Sequence, residues 1–385
     1  MRKGVVMKEA KKLGFGLMRL PKREGTDPKS ETVNPIDIEK VKEMVDLFMD
    51  AGFTYFDTAW AYDWSEDTIR QALVERYPRE SYTLATKCAA WIECETREDA
   101  IAQYESSLEL TQAGYFDYYL IHNLGTPRTE VFDKFDLWNF FKEKKAEGKI
   151  KKLGFSFHGM PDELEEILEK RADDVDFVQL QINYADLDNQ RVRSQDNYDI
   201  VRKYGKPIVV MEPVKGGMLA NPPEQIAKIF KEADPDASYA KWAIRFVASL
   251  DGVFMVLSGM STVEQMKDNI SYMKDFKPLD EAEQKVVEKA RAELAKIPII
   301  PCTACDYCAK VCPQNIGISG TFAALNIMNI YADKETAARE EGFLVSGHGK
   351  ARANECIQCG MCEEACPQHI EIRDELTKAA EVFGM

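Results

Sequence analysis

Eight of the chain's ten cysteines fall into two identical runs, C-x2-C-x2-C-x3-C-P, at Cys302, Cys305, Cys308 and Cys312 before Pro313, and at Cys356, Cys359, Cys362 and Cys366 before Pro367. Each cysteine of the second run lies 54 residues after its counterpart, which marks the internal duplication of one metal-binding unit. Zinc sites pair C-x2-4-C units into sets of four and would leave the third cysteine of each run without a role. Disulfides need an export route. The N-terminal MRKGVVMKEAKKLGFG has charges but no long apolar core behind them, so a signal peptide is not expected. Thiolates at this spacing are iron–sulfur ligands, and they imply single-electron chemistry.

The spacing resembles that of the bacterial two-cluster ferredoxins. That resemblance implies two 4Fe-4S clusters with crossed ligation, in which three close thiolates hold one cubane and the fourth, stiffened by its proline, reaches to the other. Cys302, Cys305, Cys308 and Cys366 would then serve one cluster, and Cys356, Cys359, Cys362 and Cys312 its partner. The stiff segment Ile297-Pro298-Ile299-Ile300-Pro301 leads into this part of the chain, and 43 residues, Pro313 to Glu355, separate the runs. Thr321 to Ala338 has helical apolar spacing, and Gly342 to Gly349 reads as a glycine-rich loop. The expected domain, residues 297–385, is small, mainly helical and ferredoxin-like. Cys88, Cys94, His348 and His369 are assigned to packing, since the ligand set is complete without them.

Residues 1–296 have a different rhythm. Short β-branched or aromatic runs alternate with amphipathic stretches, the pattern of parallel strands joined by crossover helices. Strands are expected near 13–18, 54–58, 82–87, 117–122, 152–157, 177–182, 207–212 and 253–258. Eight strand–helix units in under 300 residues make an α/β fold of the TIM (β/α)8 barrel type, whose chemistry sits at the C-terminal strand ends. Those ends carry Asp57, Lys87, His122, Ser156, Gln181, Glu212 and Ser258, polar groups that strand interiors would not tolerate.

Here the chain resembles the aldo-keto reductase superfamily. The family's D-T-A-x-x-Y-x-x-S-E appears as Asp57-Thr58-Ala59-Trp60-Ala61-Tyr62-Asp63-Trp64-Ser65-Glu66, with Asp63 in place of the usual glycine. Lys87 and His122 match the rest of the catalytic tetrad. The residue types fit the chemistry. Hydride delivery to a carbonyl leaves an alkoxide that needs a proton donor, and Tyr62 can be that acid. A free phenol has a pKa of about 10, so a nearby ammonium, Lys87, must bring it toward working pH while Asp57 holds the lysine in a buried ion pair. His122 would orient the substrate oxygen, as a neutral donor or as a cation.

By the same resemblance, Ser156 and Gln181 should hold the carboxamide of NAD(P)H, and the loops that include Pro213, Gly216, Gly217, Gly259, Ser261, Gln265 and Asn269 should cradle its pyrophosphate and adenosine. Met211 stands where the family usually stacks an aromatic ring, and Gly259 and Gln265 stand where it commonly places Lys and Arg for a 2'-phosphate. Weak discrimination between NADH and NADPH, or weak binding of both, follows. Trp60 and His158 are expected to face the substrate.

At 385 residues two domains are expected. A net charge of -15 without a large basic cluster argues against nucleic acid and against an anionic membrane surface. No apolar run approaches the roughly 20 residues that span a bilayer, and a cytoplasmic location is expected. The leading function is an oxidoreductase acting on a small-molecule carbonyl, with a ferredoxin-like carrier exchanging single electrons with the clusters. The alternative is a non-catalytic redox-sensing or regulatory protein. Neither substrate nor oligomeric state is legible.

Overall fold

The computed structural model describes residues 11–27 and 32–385. Most of the N-terminal stretch used for the signal-peptide expectation therefore lies outside the described residues.

Eight parallel strands close into a barrel in chain order: β1 (Leu13–Gly16), β2 (Tyr55–Asp57), β3 (Thr83–Cys88), β4 (Phe116–Leu124), β5 (Ile150–Phe157), β6 (Phe177–Gln181), β7 (Ile208–Met211) and β8 (Val253–Ser258), with β1 paired to both β2 and β8. The period-2 alternation of strand side chains explains both layers. Tyr55, Ala85, Leu120, Phe177, Val209, Met255 and Leu257 form one buried cluster, the filling of the barrel. The opposite faces, such as Phe15, Phe56 and Leu84, join a second cluster with the outer helices, where Val41, Met44, Val45 and Phe48 of the helix Ile38–Asp50 are buried. Gly154 is required here, because a Cβ would lie 2.6 Å from the Phe177 ring and exclude it from the barrel centre.

The same alternation places the polar residues. Two positions beyond the core residues Tyr55, Ala85 and Leu120 come Asp57, Lys87 and His122, on the same inward faces of β2, β3 and β4 but one layer nearer the mouth.

The chain divides into two compact units. The first runs to Gly216 and resumes over Ala240–Gln284; the second comprises Gly217–Tyr239 and Lys285–Met385. The second is helical. Its apolar core gathers Ile300, Ile316, Ile318, Phe322, Leu325, Ile370, Ile372 and Leu376 around the cysteines. The Asn326 amide clamps the incoming segment, accepting from Ile300 N at 2.8 Å and donating to Ile300 O at 3.0 Å. Two expectations for this unit need correction. The helix read over 321–338 is two helices, Ile318–Tyr331 and Lys334–Ser346, broken at Ala332 (φ 52°) and restarted by Asp333, whose carboxylate accepts from Thr336 N. The glycine-rich stretch 342–349 is helical as far as Ser346, because Leu344 packs where Gly320 has no Cβ; a Cβ there would sit 2.4 Å from Leu344 Cδ2.

Candidate functional site

Lys87 is fully buried at the end of β3 and spends its ammonium on neighbouring oxygens, donating to Asp57 Oδ1 at 2.5 Å and to Thr58 O at 2.6 Å. Its Nζ also lies 4.8 Å from the centroid of the Tyr62 ring. Tyr62 meets His122 edge to face, with ring centroids 5.9 Å apart at 82°. The four tetrad residues, drawn from β2, the loop after it, β3 and β4, thus form one contiguous cluster.

Its electrostatics follow from burial and from that ion pair. Burial alone would pull Lys87 down, but Asp57 and Tyr62 outweigh it and hold the lysine above its ordinary range, so the ammonium persists. Burial pushes the Tyr62 phenol up, and Lys87 pulls it back without cancelling the rise. His122 is driven well below the ordinary histidine range by burial first, then by the charges of Lys87, His158 and Arg128. Burial thus favours the neutral imidazole over the cation. Its Nδ1 is buried with no protein partner among the described residues.

The remainder of the signature secures the scaffold. Ser65 Oγ lies 2.7 Å from Thr58 Oγ1 and donates to Leu17 O. Glu66 is buried and accepts from Thr86 Oγ1 at 2.6 Å and Ser107 Oγ at 3.1 Å; burial pushes its carboxyl up to about 7 against the pull of those bonds. Trp60 is half-buried, its backbone N donating to Lys87 O.

The expected nicotinamide residues occupy the ends of β5 to β8. Ser156 is buried and its Oγ accepts from Asn123 N at 2.8 Å. Gln181 Oε1 lies 3.2 Å from Nδ1 of His158, which is exposed at the mouth. Met211 accepts from Gln179 Nε2 through its sulfur, and Pro213 is buried behind it. Gly259 has open space where a Cβ would go, with only Gly16 O within 4 Å, and Gly216 and Gly217 take φ of 65° and 105°, values that favour glycine. A Cβ at Gly216 would instead lie 3.4 Å from the Arg19 guanidinium, so the open position is the one at Gly259. The amides after Gly259 are engaged within the loop: Ser261 N donates to Gln265 Oε1, and Gln265 N to Thr262 Oγ1. Asn269 is buried, with its amide bonded to Ser258 Oγ and Tyr272 OH rather than turned toward a ligand.

Eight of the cysteines line two small cavities. Cys302, Cys305, Cys308 and Cys366 line the first; Cys312, Cys356, Cys359 and Cys362 line the second. Each cavity thus takes three thiols from one run and one from the other. Among the described residues no three His, Cys, Asp or Glu side chains converge on a single-ion site; the thiols surround shared spaces, which fits a polynuclear centre. The backbone repeats with the sequence. Left-handed residues at Ala304, Asp306 and Asn315 recur 54 positions later at Gln358, Gly360 and His369. Ile318 N donates to Ile316 O as Ile372 N does to Ile370 O.

The sequence reading did not single out three residues at the barrel mouth. Trp91 donates from Nε1 to His122 O at 3.0 Å, Arg128 lies over the Trp91 ring at 4.9 Å, and Arg19 donates to Gly216 O at 2.7 Å and lies 3.6 Å from Glu212. All three sit just beyond strand ends, where the barrel rule points, but loop shape decides which of many loop residues turn inward.

A family model described as the aldo/keto reductase family matches residues 12–292, nearly three quarters of the chain. The chain belongs to that family. A model described as a 4Fe-4S dicluster domain matches residues 301–371. Among curated proteins, the chain is 23% identical over 262 residues to the uncharacterized oxidoreductase YqkF of Bacillus subtilis, covering 60% of this chain and 81% of that one. It is 26% identical to an aldo-keto reductase of Mycolicibacterium smegmatis, over 48% of this chain and 63% of that one, and 26% identical to Protein REDOX 2 of Catharanthus roseus, over 40% and 53%. The chain thus spans only about half to two thirds of the latter two. Among solved structures, the holo form of aldo-keto reductase AKR11C1 from Bacillus halodurans superposes with a TM-score of 0.57 at 24% identity, covering 72% of this chain and 91% of that one. An aldo/keto reductase from Klebsiella pneumoniae in complex with NADP and acetate gives 0.55 at 18%, covering 73% and 91%. Both show the barrel fold. The protein is an oxidoreductase of the aldo-keto reductase type carrying an iron–sulfur domain. Among the described residues no helix is long and apolar enough to cross a membrane.

Proposed function

We propose that the barrel reduces the carbonyl of a small molecule with Tyr62 as proton donor, and that the cysteine-rich region holds two 4Fe-4S clusters that exchange single electrons with a ferredoxin-like carrier. The observation that carries the first part is the buried Lys87 ammonium, held by Asp57 at 2.5 Å with the Tyr62 ring 4.8 Å away.

A nicotinamide bound between the ends of β5 and β8 would supply a hydride to the carbonyl carbon; holding its carboxamide falls to Ser156 and Gln181, and its phosphates to the loops around Gly216 and Gly259. Tyr62 gives its phenolic proton to the carbonyl oxygen as negative charge develops there, so the product leaves as an alcohol. Lys87 keeps the resulting tyrosinate favourable and Asp57 keeps Lys87 in place, since a lysine without that partner would lose its charge to burial. Because burial holds Tyr62 above the ordinary phenol range, it is fully protonated at neutral pH and gives up its proton only when the alkoxide and the ammonium together favour the transfer. His122, neutral, orients the oxygen by hydrogen bonding.

In the second unit, each set of four thiols would ligate one cubane, with Cys366 and Cys312 crossing over. Support comes from the cavities, from the matching backbone of the two runs and from the dicluster-domain match. Clusters supply one electron at a time.

The test uses protein purified without oxygen. NADH or NADPH oxidation is followed with a panel of aldehydes and ketones, and in parallel the dithionite-reduced clusters are offered a ferredoxin and then each carbonyl. Carbonyl-dependent coenzyme oxidation and rapid cluster reoxidation by the ferredoxin are expected. Tight coenzyme binding without turnover of any carbonyl would sink the catalytic reading and favour a sensory role.

A further inference from the structure

One strongly charged group at the mouth remains unused. Arg128 follows Pro127 as the first residue of the helix Arg128–Lys134 after β4 and is half-buried. Its guanidinium carbon lies over the Trp91 ring, 4.9 Å from the centroid, and Nη1 donates to Asn123 Oδ1 at 3.3 Å. Among the described residues no carboxylate pairs with it, and burial alone lowers it from the ordinary arginine range. The other deeply set arginines of this unit do meet carboxylates, Arg79 with Asp117 at 2.7 Å and Arg245 with Glu283 at 2.5 Å. Near Arg128 the acid that might have paired with it is spent elsewhere, since Glu163 accepts from the backbone N of Thr126 and of Met160. A partly desolvated guanidinium without a counter-ion is costly, and Glu130, in the first turn of the same helix, is exposed and forms no ion pair with it among the described residues.

Its position gives the cost a use. Trp91 carries Arg128 on its ring and holds His122 O through Nε1, with the Trp91 and His122 rings 6.2 Å apart. Arg128 and the imidazole that orients the reacting oxygen therefore flank one rigid indole. Asn123, held left-handed at φ 58° with its N–H on Ser156 Oγ, presents the Oδ1 that accepts from the guanidinium. A planar fork of N–H donors held in this way matches a carboxylate in two-point geometry, which an ammonium cannot do. We propose that Arg128 receives a carboxylate of the substrate, so that the barrel prefers carbonyl compounds bearing an acid group, such as aldehydo and keto acids. This rests on the carbonyl-reductase reading above and narrows its substrate class.

The test pairs acids with neutral analogues: 4-oxobutanoate with butanal, and 4-carboxybenzaldehyde with benzaldehyde. Wild-type kcat/KM should favour the acid by about 10- to 100-fold, the worth of a charge-assisted hydrogen-bonded pair. That ratio should fall to near one in Arg128→Gln and recover in part in Arg128→Lys, which keeps the charge but not the fork. A binding arm without coenzyme separates this idea from the catalytic one. Benzoate titrated calorimetrically should bind the wild type and weaken about 10- to 100-fold in Arg128→Gln, with benzyl alcohol binding unchanged and thermal unfolding verifying the fold. If no aldehyde turns over yet benzoate binding depends on Arg128, the reductase reading fails and the anion site stands. If aldehydes turn over with the same acid-to-neutral ratio in wild type and Arg128→Gln, or benzoate binds both equally, the anion site is overturned and the reductase reading survives.

Discussion

The barrel mouth and the cysteine-rich region reach a chemically competent arrangement by opposite routes. At the mouth, Asp57, Lys87 and His122 lie about 30 residues apart in sequence and meet because consecutive strands pair side by side. The Lys87 ammonium is held by the protein alone, with Asp57 Oδ1 and Thr58 O accepting its hydrogen bonds. In the second unit the cysteines come from short turns and from single helical turns such as Tyr307–Val311 and Met361–Glu364, and Cys356 Sγ accepts only a long bond from Gln358 N at 3.4 Å. The scaffold positions the first site; an inorganic core is expected to complete the second, because binding free energy released at such a site is also folding free energy.

The largest expected effect comes from removing iron from the anaerobic protein. The helical signal and cooperative melting of residues 297–385 should be lost while the barrel transition persists. Survival of both transitions in the apoprotein would show that the cysteine region is preorganised after all. Ligand crossing can be tested in the same material. Cys366→Ser should lower iron from about eight to about four atoms per chain. Adding Cys305→Ser should cost nothing further, whereas adding Cys359→Ser should remove the rest; the reverse outcome would mean that each run serves its own cluster.

Next in size, Tyr62→Phe should lower kcat by roughly 10²- to 10⁴-fold with coenzyme binding little changed, because it removes one proton and no scaffold bond. An unaffected kcat in steady-state assays would move the proton donor elsewhere.

Smaller again is the stability carried by Glu66. Its folded pKa is raised to about 7 from 4.5. Between those values the unfolded chain ionises first, so the native state holds the extra proton and stability falls as pH rises from about 4.5 to 7, then levels off. The size is about 3 kcal/mol at most. Glu66→Gln should flatten that dependence in denaturant titrations at pH 5 and pH 8; an unchanged slope would assign the pH dependence to other groups. The smallest expected effect is in coenzyme choice, where NADH and NADPH should differ by less than about 10-fold in Kd. With Gly259 and Gln265 in place of cations, a 2'-phosphate loses charge-assisted bonds worth that much. Strong NADPH preference in a binding titration would direct attention to Arg19, which lies against Gly216 and Ser261.

The same contrast governs what could be read from sequence. All eight strands are legible because their β-branched and aromatic runs differ so clearly from the amphipathic helices between them. Their ends shift by a residue or two, as where β4 continues to Leu124 by pairing with Phe157 past an irregularity. The two cysteine runs are legible because their spacing is local, whereas the grouping of Cys366 with the first run and of Cys312 with the second was implied only by the ferredoxin resemblance. Arg128 and Trp91 are not, since their contact depends on the loop after β3 and on where the helix Arg128–Lys134 begins, which no periodicity encodes. The break at Ala332 was hidden for another reason: alanine in a left-handed conformation carries no compositional sign, although Asp333 is an ordinary helix start and could have revealed it.

The reciprocity of the two thiol cavities also bears on ancestry. Each 54-residue unit supplies three sulfurs to one cavity and lends its fourth to the other, so a single unit could never enclose a complete set. An unduplicated ancestor would have needed a second copy of itself, docked isologously and trading the same cysteine both ways. Tandem fusion turns that concentration-dependent association into an intramolecular one, and it frees the two halves to diverge: Asp306 in one is Gly360 in the other, and Tyr307 is Met361.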